Sequence, residues 1–449
     1  MGITIVSDNA DNYQRLFGDS LVAKITANLD KNFQDVRYDL SVPNDSFFFS
    51  DMFYLTITAN SSAEKSKTIE LVVKRPPRNE FVRHVTKSDA QFHNEILFYK
   101  RYTNEQDHVP RCHYTDEQPL SDSLIVLENI SKRGYNLCEW RYDVPFEYTA
   151  AAMKQVARFH AKGYMMKERH AEKFFSIVKD IQETRLEDSP DNAFQGTVNI
   201  TSNRAVDYLR KQGHGKDLCD KLDAYLEDSF HNVMLKAAEP DEPLSTLCHG
   251  DFTLNNVFFK KENGRVKAML IDFAMMRYGT PVIDLSTYLC LHSASELDKD
   301  LIEKSLKVYH ESLRECLMEN GIEDYEKYSY EALCDDYKKK GMFGFIIASF
   351  FLSITMGLNN AKIETMETTG VIENAKMLRE AGSDEINEIL ARMLLKLKDF
   401  GCLDNLILSD VISSQTDHCL TLMSEILFKM KYDVMHVKLG GFKPSFFWF

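Results

Sequence analysis

Asp251 stands in a His249-Gly250-Asp251 triplet, five residues ahead of Asn256, and Asp272 follows sixteen residues further on. Such a set suits phosphoryl transfer. That reaction needs a carboxylate to orient and deprotonate an attacking hydroxyl. It also needs hard oxygen ligands for magnesium bridging the phosphates. Asp251 has the chemistry for the first role, and Asn256 and Asp272 for the second. Taken singly, each reads as an ordinary turn residue, because Asp and Asn are common in turns. The set gains its meaning from the elements around it.

Two apolar segments, Val257–Phe259 and Val266–Ile271, flank a polar stretch that contains Asn263-Gly264. An Asn-Gly between apolar runs predicts a hairpin. The hairpin brings Asp251, Asn256 and Asp272 to one end of a small sheet, within reach of one ligand. Upstream, Met52–Ala59 and Thr68–Lys74 read as strands around a polar turn. Period-two geometry puts Val72 and Lys74 on one face. In that arrangement a small apolar residue covers a base while the lysine reaches phosphates. Ser88 to Gln91 reads as a capping box opening a helix with Phe92, Ile96 and Tyr99 at helical spacing. Glu95 falls near its inward face, where a carboxylate needs a partner. Lys74 is the candidate, and a Lys74–Glu95 pair would position the α- and β-phosphates.

The whole stretch resembles the catalytic and metal loops of the protein-kinase-like superfamily, in its choline kinase and aminoglycoside phosphotransferase branch. Within that branch it is most similar to the ecdysteroid-kinase-like family. The shared features are His249-Gly250-Asp251, Asn256, Phe259, Ile271-Asp272-Phe273, Arg277-Tyr278-Gly279 and Asp284-Leu285. Ala274 stands where that family usually has Gln. Phe98-Tyr99 and Phe159-His160-Ala161 also match. The resemblance covers about residues 41–290. It implies an α+β, two-lobed protein-kinase-like fold, with a small antiparallel β-rich N-lobe over 1–128 and a larger, mostly α-helical C-lobe over 129–449. It implies a hinge at Glu128-Asn129-Ile130, whose backbone groups bind adenine, where the family reads Glu-Asp-Leu. Ser50 matches a serine of the loop over the ATP phosphates, although a plain hairpin serine is an equal reading. That loop here is poor in glycine, with Asn44, Asp45 and Ser46. His249 and Asp284 are implied as braces of the catalytic loop, Asp284 in preference to a third metal ligand. His160 reads as a packed helix histidine in preference to a catalytic base.

The expected activity is an ATP- and Mg2+-dependent kinase acting on a hydroxyl of a small molecule, a steroid or a hydroxylated xenobiotic. A choline- or aminoglycoside-type acceptor is the alternative within the class. A nucleotide-binding pseudokinase acting as an interaction protein is the alternative outside it. A protein kinase is disfavoured: the triplet lacks the arginine that couples to an activation loop, and there is no Ala-Pro-Glu. Twelve residues from Asp272 to Asp284 also leave little room for a peptide-binding segment.

Composition agrees with this class. The 449 residues are 44% hydrophobic and 27% charged, as in ordinary globular proteins. A net charge of −14 argues against nucleic acid or an anionic membrane as partner. Nine cysteines without a C-x-x-C pair read as reduced thiols in the cytoplasm. The first residues lack the basic region and apolar run of a signal peptide, and Val6 breaks the myristoylation pattern. Gly341–Leu358 is an 18-residue apolar run, expected as a buried central helix and not a membrane span. Residues 1–40 read as helical and peripheral, and a loop is expected at Asp188–Gly196. Helices are expected over 300–435, Glu385–Lys398 among them. The aromatic tail, residues 441–449, reads equally as a packed end or a partner site.

Overall fold

The computed structural model describes residues 4–5, 21–42, 50–60, 66–104, 107–118, 122–359 and 365–406. The chain forms two compact units, Met1–Cys402 and Leu403–Phe449. In the second only residues 403–406 are described. The loop residues Asn44, Asp45 and Ser46, Val6 and the aromatic tail lie outside the described residues.

Six strands form one sheet: β1 (Thr4–Ile5), β2 (Gln34–Ser41), β3 (Asp51–Asn60), β4 (Lys67–Arg75), β5 (Cys112–Asp116) and β6 (Leu124–Glu128). Their order is β1-β2-β3-β4-β6-β5. All neighbours are antiparallel except β1 and β2. Alternation along β3 buries Phe53, Leu55, Ile57 and Ala59, and β4 adds Leu71 and Val73 to the same core.

Residues 21–40 correct part of the reading of 1–40 as helical and peripheral, while residues 1–3 and 6–20 lie outside the described residues. A helix, α1, covers 21–29 and buries Val22 and Ile25. The following residues are β2, an inner strand and not a peripheral helix. Val36, Tyr38 and Leu40 are buried while Arg37 and Asp39 point outward. The period of two was present in the sequence, interrupted at its start by a bulge where Asp35 takes φ 49°.

The capping box also fails. Helix α2 (Glu80–Val85) is capped by Asn79, whose Oδ1 accepts from Val82 N at 2.9 Å. It runs almost directly into α3 (Ser88–Leu97). Lys87 takes the N-cap position with φ 52°, and Ser88 is drawn into the first turn, its Oγ buried without a partner. Gln91 instead donates to Thr86 O at 2.6 Å. The connection is too short for Ser88 to stand outside the helix.

Beyond β6 the chain is mostly helical. A short strand, β7 (Asn136–Leu137), precedes α4 (Phe146–Arg169) and α5 (Ala171–Asp180). Next come α6 (Ala193–Thr201), α7 (Arg204–Lys211), α8 (Lys216–Leu226) and α9 (Lys236–Ala238). The irregular connection spans 181–192, earlier than expected, because Asn192 caps α6 by accepting from Phe194 N at 3.0 Å. Strands β8 (Thr246–Cys248), β9 (Val257–Glu262), β10 (Arg265–Leu270) and β11 (Arg277–Gly279) follow. The helices α10 (Val282–His292), α11 (Lys299–Glu319), α12 (Tyr330–Lys340) and α13 (Met342–Thr355) come next. The described helices end with α14 (Thr365–Thr369), α15 (Val371–Glu380) and α16 (Ser383–Phe400).

The apolar run forms α13, packed on α10. Gly344 makes that approach possible: a Cβ there would lie 2.1 Å from Ser286 O. Its N–H donates to Ser286 Oγ at 3.1 Å. Phe343, Phe345, Ile346 and Leu352 are buried. Among the described residues no helix is long and apolar enough to cross a membrane. Cys112, Cys138, Cys219, Cys248, Cys290, Cys316 and Cys334 form no disulfide.

Candidate active site

The hairpin β9–β10 pairs Glu262 with Arg265 across Asn263-Gly264, whose φ angles of 53° and 72° are those of a tight two-residue turn. Asn256 ends the turn before β9, and Ile271 follows β10. Ile271 N donates to Asn256 O at 3.0 Å, so the two ends of the hairpin meet. Asp272 then takes φ 64°, a left-handed conformation that costs an L-residue about 1–2 kcal/mol. This turn separates Asp272 from the ladder, and its Oδ1 lies 3.1 Å from Lys74 Nζ.

The loop bearing Asp251 is held by its own neighbours. His249 Nε2–H donates to Ile271 O at 2.9 Å, and its Nδ1 accepts from Asp251 N at 3.3 Å. Asp284, on the first turn of α10, accepts from His249 N at 2.7 Å and from Gly250 N at 2.9 Å. It also accepts from His160 Nε2 at 3.0 Å, and the other ring nitrogen of His160 meets Tyr309 Oη at 2.9 Å. Gly250 takes φ 81°, and a Cβ there would fall 1.8 Å from Met275 O. Asn256 Nδ2 donates to Asp251 O at 2.9 Å and to Asp251 Oδ2 at 2.8 Å. Both its donor hydrogens are thereby used, and its Oδ1 remains as a ligand atom.

Lys74 sits on β4 between Met52 and Ile125, and its ammonium pairs with Glu95 Oε2 of α3 as well as with Asp272. Two ties register α3. Phe98, just past its end, stacks on Phe273 at 3.6 Å between ring centroids. Asn94 donates to Ala274 O at 3.2 Å. One ammonium thus faces two carboxylates. Burial works against the Lys74 charge, but Asp272 and Glu95 together hold its pKa above the ordinary value. Burial also opposes the Asp272 carboxylate, yet Lys74 keeps it below the usual range. Glu95 is the more deeply buried, and desolvation pushes it up to about 7 against the pull of Lys74. Burial raises Asp251 too, opposed by the Arg185 guanidinium.

Ser50, Lys74, Glu95, Asp251, Asn256, Asp272 and Ala274 line one cleft of about 330 Å³. Leu137, Trp140, Arg141, Leu254, Phe351 and Ile354 line it too. Val72, Glu128, Asn129 and Ile130 are not among its walls. Two of the three amides expected to face adenine are occupied: Glu128 N donates to Arg111 O at 2.8 Å and Asn129 N to Glu70 O at 3.1 Å. Asn129 also caps a short helix over Ile130–Arg133. Strand pairing uses these groups because β6 lies between β4 and β5.

The chain matches the ecdysteroid kinase-like family over residues 44–321, more than half its length. It belongs to that family. The ecdysteroid kinase-like chain joins an antiparallel sheet to a mostly helical remainder in a two-lobed α+β, kinase-like fold. An uncharacterized kinase-like protein of Caenorhabditis elegans is 21% identical over 288 residues, 60% of this chain and 72% of that relative. Among solved structures, a Plasmodium vivax ethanolamine kinase is similar over 83% of this chain and 93% of its own, at 12% identity and a TM-score of 0.40. A microcompartment-associated aminopropanol kinase is similar over 85% and 99%, at 13% identity and a TM-score of 0.37.

Beyond the apolar walls of the cleft, Asn94, Arg185 and His292 also escaped the sequence reading. The first two act through contacts that no local pattern announces. His292, at the end of α10, donates from Nδ1 to Arg141 O at 2.9 Å and accepts at Nε2 from Leu254 N at 2.9 Å. Only the neutral ring satisfies both bonds. Burial lowers its pKa to about 4. A folded pKa below the unfolded value near 6.5 means that the unfolded chain binds the proton more tightly. This stability is therefore complete above about pH 6.5 and is lost as pH falls toward 4, by about 3 kcal/mol. Denaturation midpoints across that window should fall for the native chain and flatten in His292→Gln. An equal slope in both would remove His292 from the account.

Proposed function

We propose that this chain is an ATP- and Mg2+-dependent kinase that transfers the γ-phosphate to a hydroxyl of an apolar small molecule, a steroid or a hydroxylated xenobiotic. The observation that carries the reading is the single cleft onto which Lys74, Glu95, Asp251, Asn256 and Asp272 converge. Asp251 accepts the hydrogen bond of the attacking hydroxyl and takes its proton. Lys74, braced by Glu95, holds the phosphates, with Ser50 as a further donor. Val72 and the Glu128–Ile130 segment, outside the walls of that cleft, are assigned the adenine. His249 and Asp284 hold the loop in place. The lobes of this reading divide after residue 128.

The donor set fits magnesium. The Asn256 Oδ1 left over by its two donated bonds and the Asp272 carboxylate are hard oxygens, and both line the cleft. Magnesium bound there would neutralise phosphate charge. Asp272 is kept ionised for that purpose by Lys74.

The walls favour an apolar acceptor over a cationic one. Among the described residues, the carboxylates lining the cleft are Glu95, Asp251 and Asp272, all at the phosphate end. Away from them stand Leu137, Trp140, Leu254, Phe351 and Ile354, with Arg141 as the charge. A choline or aminoglycoside cation would find no counter-charge there.

The test is transfer of radiolabelled γ-phosphate with magnesium to a panel of hydroxylated steroids, phenolics, choline and aminoglycosides. Labelled steroid or phenolic product is expected. Turnover of the cationic acceptors alone would overturn the acceptor assignment. Nucleotide binding without transfer to any acceptor would count against the kinase reading itself.

A further inference from the structure

The His249-Gly250-Asp251 triplet contains no arginine, yet a guanidinium reaches its backbone from elsewhere in the chain. Arg185 belongs to the irregular connection between α5 and α6, and its Nη2 donates to Gly250 O. We propose that Arg185 is a positioning residue for Asp251: it holds the Gly250 carbonyl and so fixes the peptide from which Asp251 projects. The proposal rests on the reading of Asp251 as the acceptor's base.

The Gly250 residue is gripped on both sides. Asp284 takes its N–H at 2.9 Å, and Arg185 takes its carbonyl. Gly250 has no Cβ to restrict it, and its φ of 81° lies where glycine is freest. Without an external hold, the peptide leading into Asp251 has the most conformational freedom in the loop. A misplacement of about 1 Å in such a group can cost about 10²-fold in rate.

Arg185 is itself held firmly enough to impose a position. Its N–H donates to Glu183 Oε1 at 2.8 Å, and its carbonyl accepts from Asn192 Nδ2 at 3.0 Å. The guanidinium carbon lies 5.3 Å from the centre of the Phe194 ring on α6, within cation–π range. The connection is anchored at its other end by Asn94, whose side chain both donates to Gln182 O and accepts from Gln182 N, each at 2.9 Å. Asn94 precedes Glu95. One irregular segment therefore sets the backbone beside Asp251 and grips the helix carrying the partner of Lys74. A lysine in place of Arg185 would keep a charge but lose the planar fork and much of the stacking.

Two measurements test this, and they fail separately. The first needs no acceptor: hydrogen exchange on the full chain. Arg185→Ala is expected to speed exchange across Gly250–Asn256 and leave Met342–Thr355 unchanged. Unchanged exchange at Gly250–Asn256 would overturn the proposal, whatever the chain phosphorylates. The second uses an acceptor that the native protein phosphorylates. Arg185→Ala should lower kcat about 10- to 100-fold with the KM for ATP within about twofold, and Arg185→Lys should fall between. Methylguanidinium at millimolar concentration should restore part of the kcat of Arg185→Ala. A full kcat, or a loss wholly in KM, would overturn it. Arg185→Gln, of similar length without charge, replaces Arg185→Ala if that variant does not fold. If the native protein phosphorylates nothing on the panel, the kinase reading has failed and the exchange measurement alone decides the role of Arg185 in holding the loop.

Discussion

Asp251→Asn is expected to bind nucleotide as the native chain does and to lose about 10²- to 10⁴-fold in phosphate transfer. The substitution keeps the shape and one acceptor oxygen, so the bond from Asn256 Nδ2, 2.8 Å in the native chain, can persist. The backbone bonds that fix the loop run through His249, Gly250 and Asn256, and they do not involve the Asp251 carboxylate. Folding should therefore be nearly unaffected. What disappears is the oxygen able to take a proton, because an amide is not a base at neutral pH. Lys74, Glu95 and Asp272 form their own ion-pair cluster, so the phosphate end of the cleft keeps its charges. Steady-state transfer and calorimetric nucleotide binding, on the same preparation, separate the two effects. Transfer close to the native rate would mean that Asp251 is not the base.

The parts of this site that were legible in the sequence are those built from local patterns. The hairpin announced itself through Asn263-Gly264 between apolar runs, and its register then placed Asn256 and Asp272 side by side. Lys74 and Glu95 were paired on a physical demand, a carboxylate on an inward helix face, and the two side chains do meet. The sequence reading failed where tertiary context decides. Ser88 had the residue types of a capping box, but a short link to α2 pulled it inside the helix. Strand β2 alternates plainly once Val36, Tyr38 and Leu40 are seen together, yet charged neighbours and the bulge at Asp35 masked it. Arg185 gave no signal at all. It lies in a stretch without periodicity, and its partner Gly250 is 65 residues away. Contacts of that separation are properties of the fold and not of any window of sequence.

Asp284→Ala should act on stability where Asp251→Asn acts on turnover. Asp284 is 1% exposed, and its two oxygens collect three donors: His249 N, Gly250 N and His160 Nε2. Burial alone would raise its pKa, but the bonds from His160 and from the His249 amide hold it below the ordinary carboxylate value. Removing the carboxylate strands two backbone N–H groups and an imidazole in a dry interior. Losing one partner of such a buried charged network costs about 3–5 kcal/mol. Asp284→Asn should lose less, since its carbonyl oxygen still accepts one bond while its amide group faces donors. The pH dependence gives a second signature. A folded pKa below the unfolded value near 3.9 makes the contribution complete above that pH and lost below it as the carboxylate protonates. The native chain should therefore shed this stability only below about pH 4, and Asp284→Asn should show no such step. Denaturant midpoints at neutral and acid pH measure both. An Asp284→Ala variant within about 1 kcal/mol of the native chain would show that the three donors find other partners, and that Asp284 does not fix the loop. The expected contrast is a carboxylate whose loss unfolds the frame beside one whose loss leaves the frame intact and silent. Together they separate holding the loop from performing the chemistry, although His249 and Gly250 stand directly before Asp251 in the chain.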